Sequence, residues 1–80
     1  MNTIKIFEND VTKEYKVLLV IDKDYKYVIY TDKDNYQPDK NLMVAKVKSI
    51  NEMNESLPIT DDEWKMIEDN YQKILNSVKN

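Results

Sequence analysis

The side chains that could do chemistry in this chain are mainly carboxylates, because His and Cys are both absent. Their absence excludes a Ser-His-Asp triad, a Cys-His dyad and every zinc site built from His or Cys. Gly is also absent, and phosphate-binding loops of the P-loop and dinucleotide-binding types need Gly so that the backbone can approach the phosphates. The remaining acidic clusters, at 22–24, 32–34 and 61–63, are most simply two polar turns and the first turn of a helix. We therefore expect a protein that is not an enzyme and that binds no cofactor.

One acidic segment resembles the opening of a calcium-binding loop. Asp32 and Asp34 alternate with other residues, as the first ligands of such a loop do. The third ligand position is Tyr36, the glycine position is Gln37, and the closing bidentate glutamate would have to be Met43. Because three positions fail, we predict an ordinary solvated loop and no metal site.

Length and charge limit the function classes further. Eighty residues make a single domain, 1–80, with room for one core. The net charge is −3, and all 12 basic residues are Lys, whereas a nucleic-acid binder is expected to have a basic face and Arg side chains. Direct nucleic-acid binding is therefore disfavoured. There is no leader pattern and no apolar run long enough to span a membrane, so a cytoplasmic location is the expectation.

The strongest local signal is a helix start. Thr60 and Glu63 have the spacing of a capping box, in which each side chain bonds the other residue's backbone amide. Ile59 and Trp64 have the spacing of a hydrophobic staple, and a buried Trp64 would cost about 3 kcal/mol or more if truncated to Ala. These signals predict a helix over about 61–78, with one apolar stripe at three- and four-residue steps. The stripe consists of Trp64, Ile67, Tyr71, Ile74, Leu75 and Val78.

Four other stretches have strand character, because they are short and rich in β-branched and aromatic residues. They lie at about 3–7, 14–21, 25–31 and 42–50. Their connections are too short for parallel crossovers, so the neighbours should be antiparallel. The predicted fold class is α+β: an antiparallel sheet of three to four strands with one C-terminal amphipathic helix packed on one face, in the order β-β-β-β-α.

In a chain without Gly, we expect Asn or Asp at the positions where the backbone has a positive φ angle. The candidates are Asn9, Asp10, Asp24, Asn35, Asn41 and Asn54.

A short turn at 23–24 would set the register of the central hairpin. Residues whose numbers sum to 47 would stand opposite each other, so Val20 would face Tyr27 and Val17 would face Tyr30, each pair on one face of the sheet. We expect the helix to cover the more apolar of the two faces. That face would contain Tyr15, Val17, Leu19, Ile21, Val28 and Tyr30.

The other face would then expose several large apolar side chains, and such patches commonly mark contact sites. We therefore predict that this patch binds a partner protein or a second copy of the chain. The predicted interaction residues are Leu18, Val20, Tyr27 and Ile29. The alternative is that the loop at 32–41 folds over the patch.

The chain resembles the YrzB-like family of short bacterial proteins of unknown function. The resemblance rests on the segment at 27–30, the acidic loop and the strand that follow it, and the stretch at 57–68. Members typically end in an I-x-T/D-D-E-E-W-x-x-I-E stretch, which here corresponds to Ile59–Glu68, one residue shorter between Ile and Thr and with Asp62 at the first Glu position. The similarity covers roughly 14–75; the chain departs from the family in having no Gly and in being less acidic. The resemblance implies a small, cytoplasmic, non-enzymatic bacterial domain, with a hint of nucleic-acid housekeeping, and it assigns no functional residue.

Two functions from different classes fit these observations. The first is a protein-interaction module or accessory subunit. The second is a small acidic inhibitor of the phage-borne type, which imitates the charge of nucleic acid and occupies a basic groove. Such a mimic needs rows of carboxylates on one face, whereas Lys23, Lys33 and Lys65 interrupt the acidic clusters. The sequence therefore favours the interaction module.

Overall fold

A computed structural model describes residues 3–32 and 42–78, with helix side chains as far as Lys73. Four strands form one sheet in the order β1-β2-β3-β4, and each neighbouring pair is antiparallel. One helix follows them. The elements are β1 (Thr3–Glu8), β2 (Val11–Asp22), β3 (Lys26–Thr31), β4 (Met43–Val47) and α1 (Asp61–Val78). The predicted α+β class and the β-β-β-β-α order are confirmed.

The first hairpin turns through two residues in the left-handed region. Glu8 pairs with Val11, and between them Asn9 has a φ of 53° and Asp10 a φ of 63°. Two successive positive φ angles are typical of the hairpin turn whose twist matches that of its strands, and Asn and Asp tolerate them best after Gly. These two candidates are confirmed. Within the described residues no other position has a positive φ, so Asp24 and Asn54 were wrong, and the candidates at 35 and 41 lie outside the description.

The second hairpin differs from its predicted register. Asp22 pairs with Lys26, so the turn contains three residues instead of two, and Val20 stands opposite Val28. A β-bulge between Val17 and Leu19 then shifts the register back by one residue. Val17 accordingly faces Tyr30, as predicted, whereas the predicted pairs between the bulge and the turn were wrong.

The register change decides which residues share a face. One cluster joins side chains from β1 and β4, at opposite ends of the strand order, so the sheet curls around it. Its buried members are Ile4, Ile6, Val28, Tyr30, Ala45 and Val47. The helix packs against the opposite face, in a second cluster whose buried members are Ile21, Tyr27, Ile29 and Ile67. Our assignment of the helix to the face containing Val28 and Tyr30 was therefore wrong.

The connection from β4 to α1 runs between the two edges of the curled sheet. On one side, the Asn54 amide donates to the Lys5 carbonyl at 3.1 Å, and the Phe7 amide donates to the Asn54 carbonyl at 2.8 Å. On the other side, the Leu57 amide donates to the Lys46 carbonyl at 2.8 Å. The connection thereby pairs backbone groups of β1 and of β4 that edge strands would otherwise present for aggregation.

Candidate functional site

The four residues predicted to bind a partner do not form a surface. Tyr27 is only 5% exposed and Ile29 only 2%, because the helix covers them. Leu18 is half-buried in that same cluster beneath the helix, whereas Val20 packs on the opposite face. The predicted exposed patch is therefore wrong, and the one-residue register difference explains why these residues were grouped.

The helix begins with the predicted capping box. The Thr60 amide donates to Glu63 Oε1 at 2.9 Å, and the Glu63 amide donates to Thr60 Oγ1 at 3.2 Å. The Trp64 amide donates to the Thr60 carbonyl at 2.9 Å, which closes the first helical turn. The cap fixes where α1 starts, and it places the Glu63 side chain, at the third helical position, against the sheet.

The Glu63 carboxylate is the centre of a polar cluster under the first turn of α1. Lys46 of β4 lies with its Nζ 2.8 Å from Glu63 Oε2 and 3.0 Å from Oε1. The Tyr27 hydroxyl of β3 donates to Oε2. Lys46 Nζ also lies 4.4 Å from the centroid of the Tyr25 ring. One carboxylate thus connects the helix to two strands, and the side chains of Lys46 and Glu63 are only 12% and 17% exposed.

The contacts in this cluster lower the pKa of Glu63 and raise the pKa of Tyr27. The hydrogen bond from Lys46, followed by those from Tyr27 and the Thr60 amide, lowers the pKa of Glu63 from 4.5 to about 2. The hydrogen bond to Glu63, together with burial, raises the pKa of Tyr27 from 10.0 to about 12. At neutral pH the cluster is therefore a carboxylate, an ammonium and a neutral phenol that satisfy one another. Because the cluster joins α1 to β3 and β4, its geometry is suited to fastening the helix to the sheet.

The Glu63 pKa makes stability depend on pH in a defined window. Because the folded pKa lies below the unfolded value, the ionised group stabilises the fold above about pH 4.5, and this contribution is lost as the pH falls towards about 2. We expect Glu63→Gln to be less stable than the parent at pH 7 and the two to converge at low pH. Urea unfolding between pH 7 and pH 2 measures this. Glu68→Gln, an exposed substitution in the same helix, is the control; a constant gap between the parent and Glu63→Gln across the window would contradict the assignment.

A largely apolar groove of about 180 Å³ lies between α1 and β4. Trp64 stands in its wall and is 42% exposed, although the staple spacing predicted a buried side chain. Ile67, one helical turn further along, is 3% exposed and closes the inner side. The residues lining this Trp64 groove are Ile29, Leu42, Val44, Trp64, Ile67, Glu68 and Tyr71. The sequence carried a signal for it, since the apolar stripe of α1 begins with the largest aromatic side chain.

Most of the calcium-loop pattern falls outside the described residues. Asp32 is exposed, and its proposed calcium-loop companions lie outside the described residues. Within 3–32 and 42–78 no three Asp or Glu side chains come together in a group that could hold a metal ion. For the same residues, no helix is both long and apolar enough to cross a membrane.

Comparisons with known proteins return no match to a family model, to a curated protein or to a solved structure. The resemblance of the Ile59–Glu68 stretch to the YrzB-like family therefore remains a hypothesis from the motif.

Proposed function

We propose that this chain is a small, non-enzymatic interaction module of the bacterial cytoplasm, related to the YrzB-like family, which binds a partner protein in the Trp64 groove. The observation that carries the proposal is the 42% exposure of Trp64 at an apolar groove. Trp is the residue type most enriched among binding hot spots, because it supplies a large apolar area together with one hydrogen-bond donor.

The groove has the size and rigidity for an inserted side chain. Small-molecule sites usually measure about 300–1,000 Å³, so a groove of about 180 Å³ fits a side chain of a partner better than a cofactor. Ile29 and Ile67 form part of its lining and are 2% and 3% exposed, so that part is fixed by core packing. A preformed groove loses little conformational entropy when it is occupied.

The contacts favour this function over the nucleic-acid mimic. A mimic needs its carboxylates free and in rows, whereas the Glu63 carboxylate is engaged with Lys46 and Tyr27. We therefore retain the interaction module as the proposal.

Selection from a displayed random-peptide library tests the proposal, with binding to Trp64→Ala as the discriminating step. Because Trp64 is 42% exposed, its truncation should cost about 1 kcal/mol rather than the 3 kcal/mol of a buried staple, so the variant should stay folded by circular dichroism. We expect selected peptides to bind the parent and to bind Trp64→Ala at least about tenfold more weakly.

Met53→Ala is the matched control, since Met53 is a large apolar side chain that is 57% exposed and lies outside the groove. Selected peptides should bind this variant as they bind the parent. If no peptide is enriched, or if the enriched peptides bind Trp64→Ala as tightly as the parent, the groove is not a protein-binding site.

A further inference from the structure

We propose that the partner segment recognised by the Trp64 groove is basic and amphipathic, with an apolar side chain in the groove and a Lys or Arg at its rim. This inference rests on the proposed function and adds the chemistry of the partner. It is carried by the acidic rim of the groove, by the aromatic side chains beside that rim and by a similar arrangement inside the protein.

The rim is acidic where the helix borders the groove. Glu68 itself lines the groove, together with Trp64 and Tyr71. Asp61 lies three residues before Trp64 and Glu68 lies four residues after it, so both share the side of the helix that carries Trp64. Asp61 and Glu68 are two turns apart, or roughly 10 Å along the axis, a span that two turns of a partner helix would match.

The other charged side chains of α1 also favour a basic partner. From Asp61 to Lys73 the helix carries five carboxylates and two Lys side chains. Glu63 is paired with Lys46, and Lys65 lies further round the helix from the groove than Asp61 and Glu68 do. Among the described side chains of α1, those nearest the groove therefore carry a net negative charge, and such a charge raises the association rate of a cationic segment and disfavours an anionic one.

The aromatic side chains add selectivity for a cation. Trp64 and Tyr71 are two turns apart on α1, and Glu68 lies between them. A cation held by a carboxylate beside an aromatic face gains cation–π attraction in addition to the ion pair. The protein contains this combination in its own fold, where Lys46 lies 4.4 Å from the Tyr25 ring centroid and pairs with Glu63. The Trp64 groove supplies the aromatic and carboxylate groups for a cation that comes from another chain.

Trp64 is the only tryptophan of the chain, so its fluorescence reports directly on the groove. The probes are two synthetic amphipathic peptides without aromatic residues: one of Leu and Lys, and one with the same Leu positions and Glu in place of Lys. We expect the Lys peptide to shift the Trp64 emission to shorter wavelength in a saturable titration, and the Glu peptide to cause no shift. Added salt should weaken the response to the Lys peptide.

Two charge variants separate groove recognition from general attraction between a basic peptide and an acidic protein. Glu68→Gln removes the carboxylate at the rim, and Glu52→Gln removes an exposed carboxylate on the β4–α1 connection, outside the groove lining. We expect Glu68→Gln to weaken Lys-peptide binding about three- to tenfold, and Glu52→Gln to change it less than twofold. Equal effects of the two variants would overturn the proposal.

The remaining outcomes distinguish this inference from the proposed function. If the Glu peptide shifts the Trp64 emission as the Lys peptide does, the groove binds peptides but the basic partner is wrong. If neither peptide changes the emission, the basic partner is again wrong. The selection from the peptide library then tests independently whether the groove binds any protein segment. A shift that appears when the protein alone is concentrated would identify a second copy as the occupant and would also overturn the basic partner.

Discussion

Replacing Lys46 by Met is expected to lower the free energy of unfolding by clearly more than an exposed Lys substitution does, because it removes one partner of an ion pair that is mostly shielded from water. The Lys46 side chain is 12% exposed and bonds both oxygens of Glu63. Met occupies a similar volume, so the loss comes from the unpaired Glu63 carboxylate and from the missing contact with the Tyr25 ring. Urea or thermal unfolding at pH 7 measures the change.

Lys48→Met is the matched control for this substitution, because Lys48 is exposed and lies two residues further along the chain. It should change stability by less than about 0.5 kcal/mol, as surface substitutions usually do. The gap between the parent and Lys46→Met should narrow in acid, since protonation of Glu63 removes the charge that Lys46 neutralises. Equal stabilities of the two variants at pH 7 would show that the cluster does not hold the helix on the sheet.

The features that could be predicted from the sequence depend on contacts between residues close together in the chain. The capping box from Thr60 to Glu63 spans four residues, and the Asn9–Asp10 turn spans two. The strands were recognisable from short runs of β-branched and aromatic residues. The helix range of 61–78 and the antiparallel order followed from these local signals.

The faces of the sheet were not predictable, because they depend on a single residue. The turn after Asp22 contains three residues instead of two. Every β2–β3 pair between this turn and the bulge is therefore shifted by one residue from the predicted register. A slip of one residue sends each side chain to the opposite face, so Leu19 and Ile21 join Tyr27 and Ile29 under the helix. The predicted interaction site combined residues of both faces for this reason.

The polar cluster was also beyond sequence reasoning, because its members are far apart in the chain. Tyr27, Lys46 and Glu63 come from β3, β4 and α1. The sequence gives Glu63 a complete role in the capping box, and nothing in the local pattern indicates that the same carboxylate also takes a cation and a phenol. A residue that satisfies a local motif can therefore carry a long-range contact as well.

Asn54 is a second position where one side chain is expected to carry much of the stability. It is 3% exposed, and its Nδ2 donates to the Lys5 carbonyl at 2.9 Å and to the Asn51 carbonyl at 2.8 Å. Its Oδ1 accepts from the Asn51 amide at 2.8 Å. This side chain fixes the local shape of the β4–α1 connection and also bonds the connection to β1. Backbone hydrogen bonds between Asn54 and β1 lie on either side of the side-chain bond to Lys5.

Asn54→Ala is expected to lower the free energy of unfolding by about 3 kcal/mol, since the side chain makes three hydrogen bonds and each contributes about 1 kcal/mol. The exposed Asn51 side chain donates only through two long contacts of 3.4 Å to Ser49, so Asn51→Ala should cost less than about 1 kcal/mol and serves as the control. Hydrogen exchange gives a local readout, because the Phe7 amide donates to the Asn54 carbonyl. We expect Phe7 to exchange faster in Asn54→Ala relative to amides between β2 and β3, which the substitution does not touch. If Asn54→Ala is no less stable than Asn51→Ala, and Phe7 keeps its protection, the edges of the sheet are held together by the apolar cluster alone.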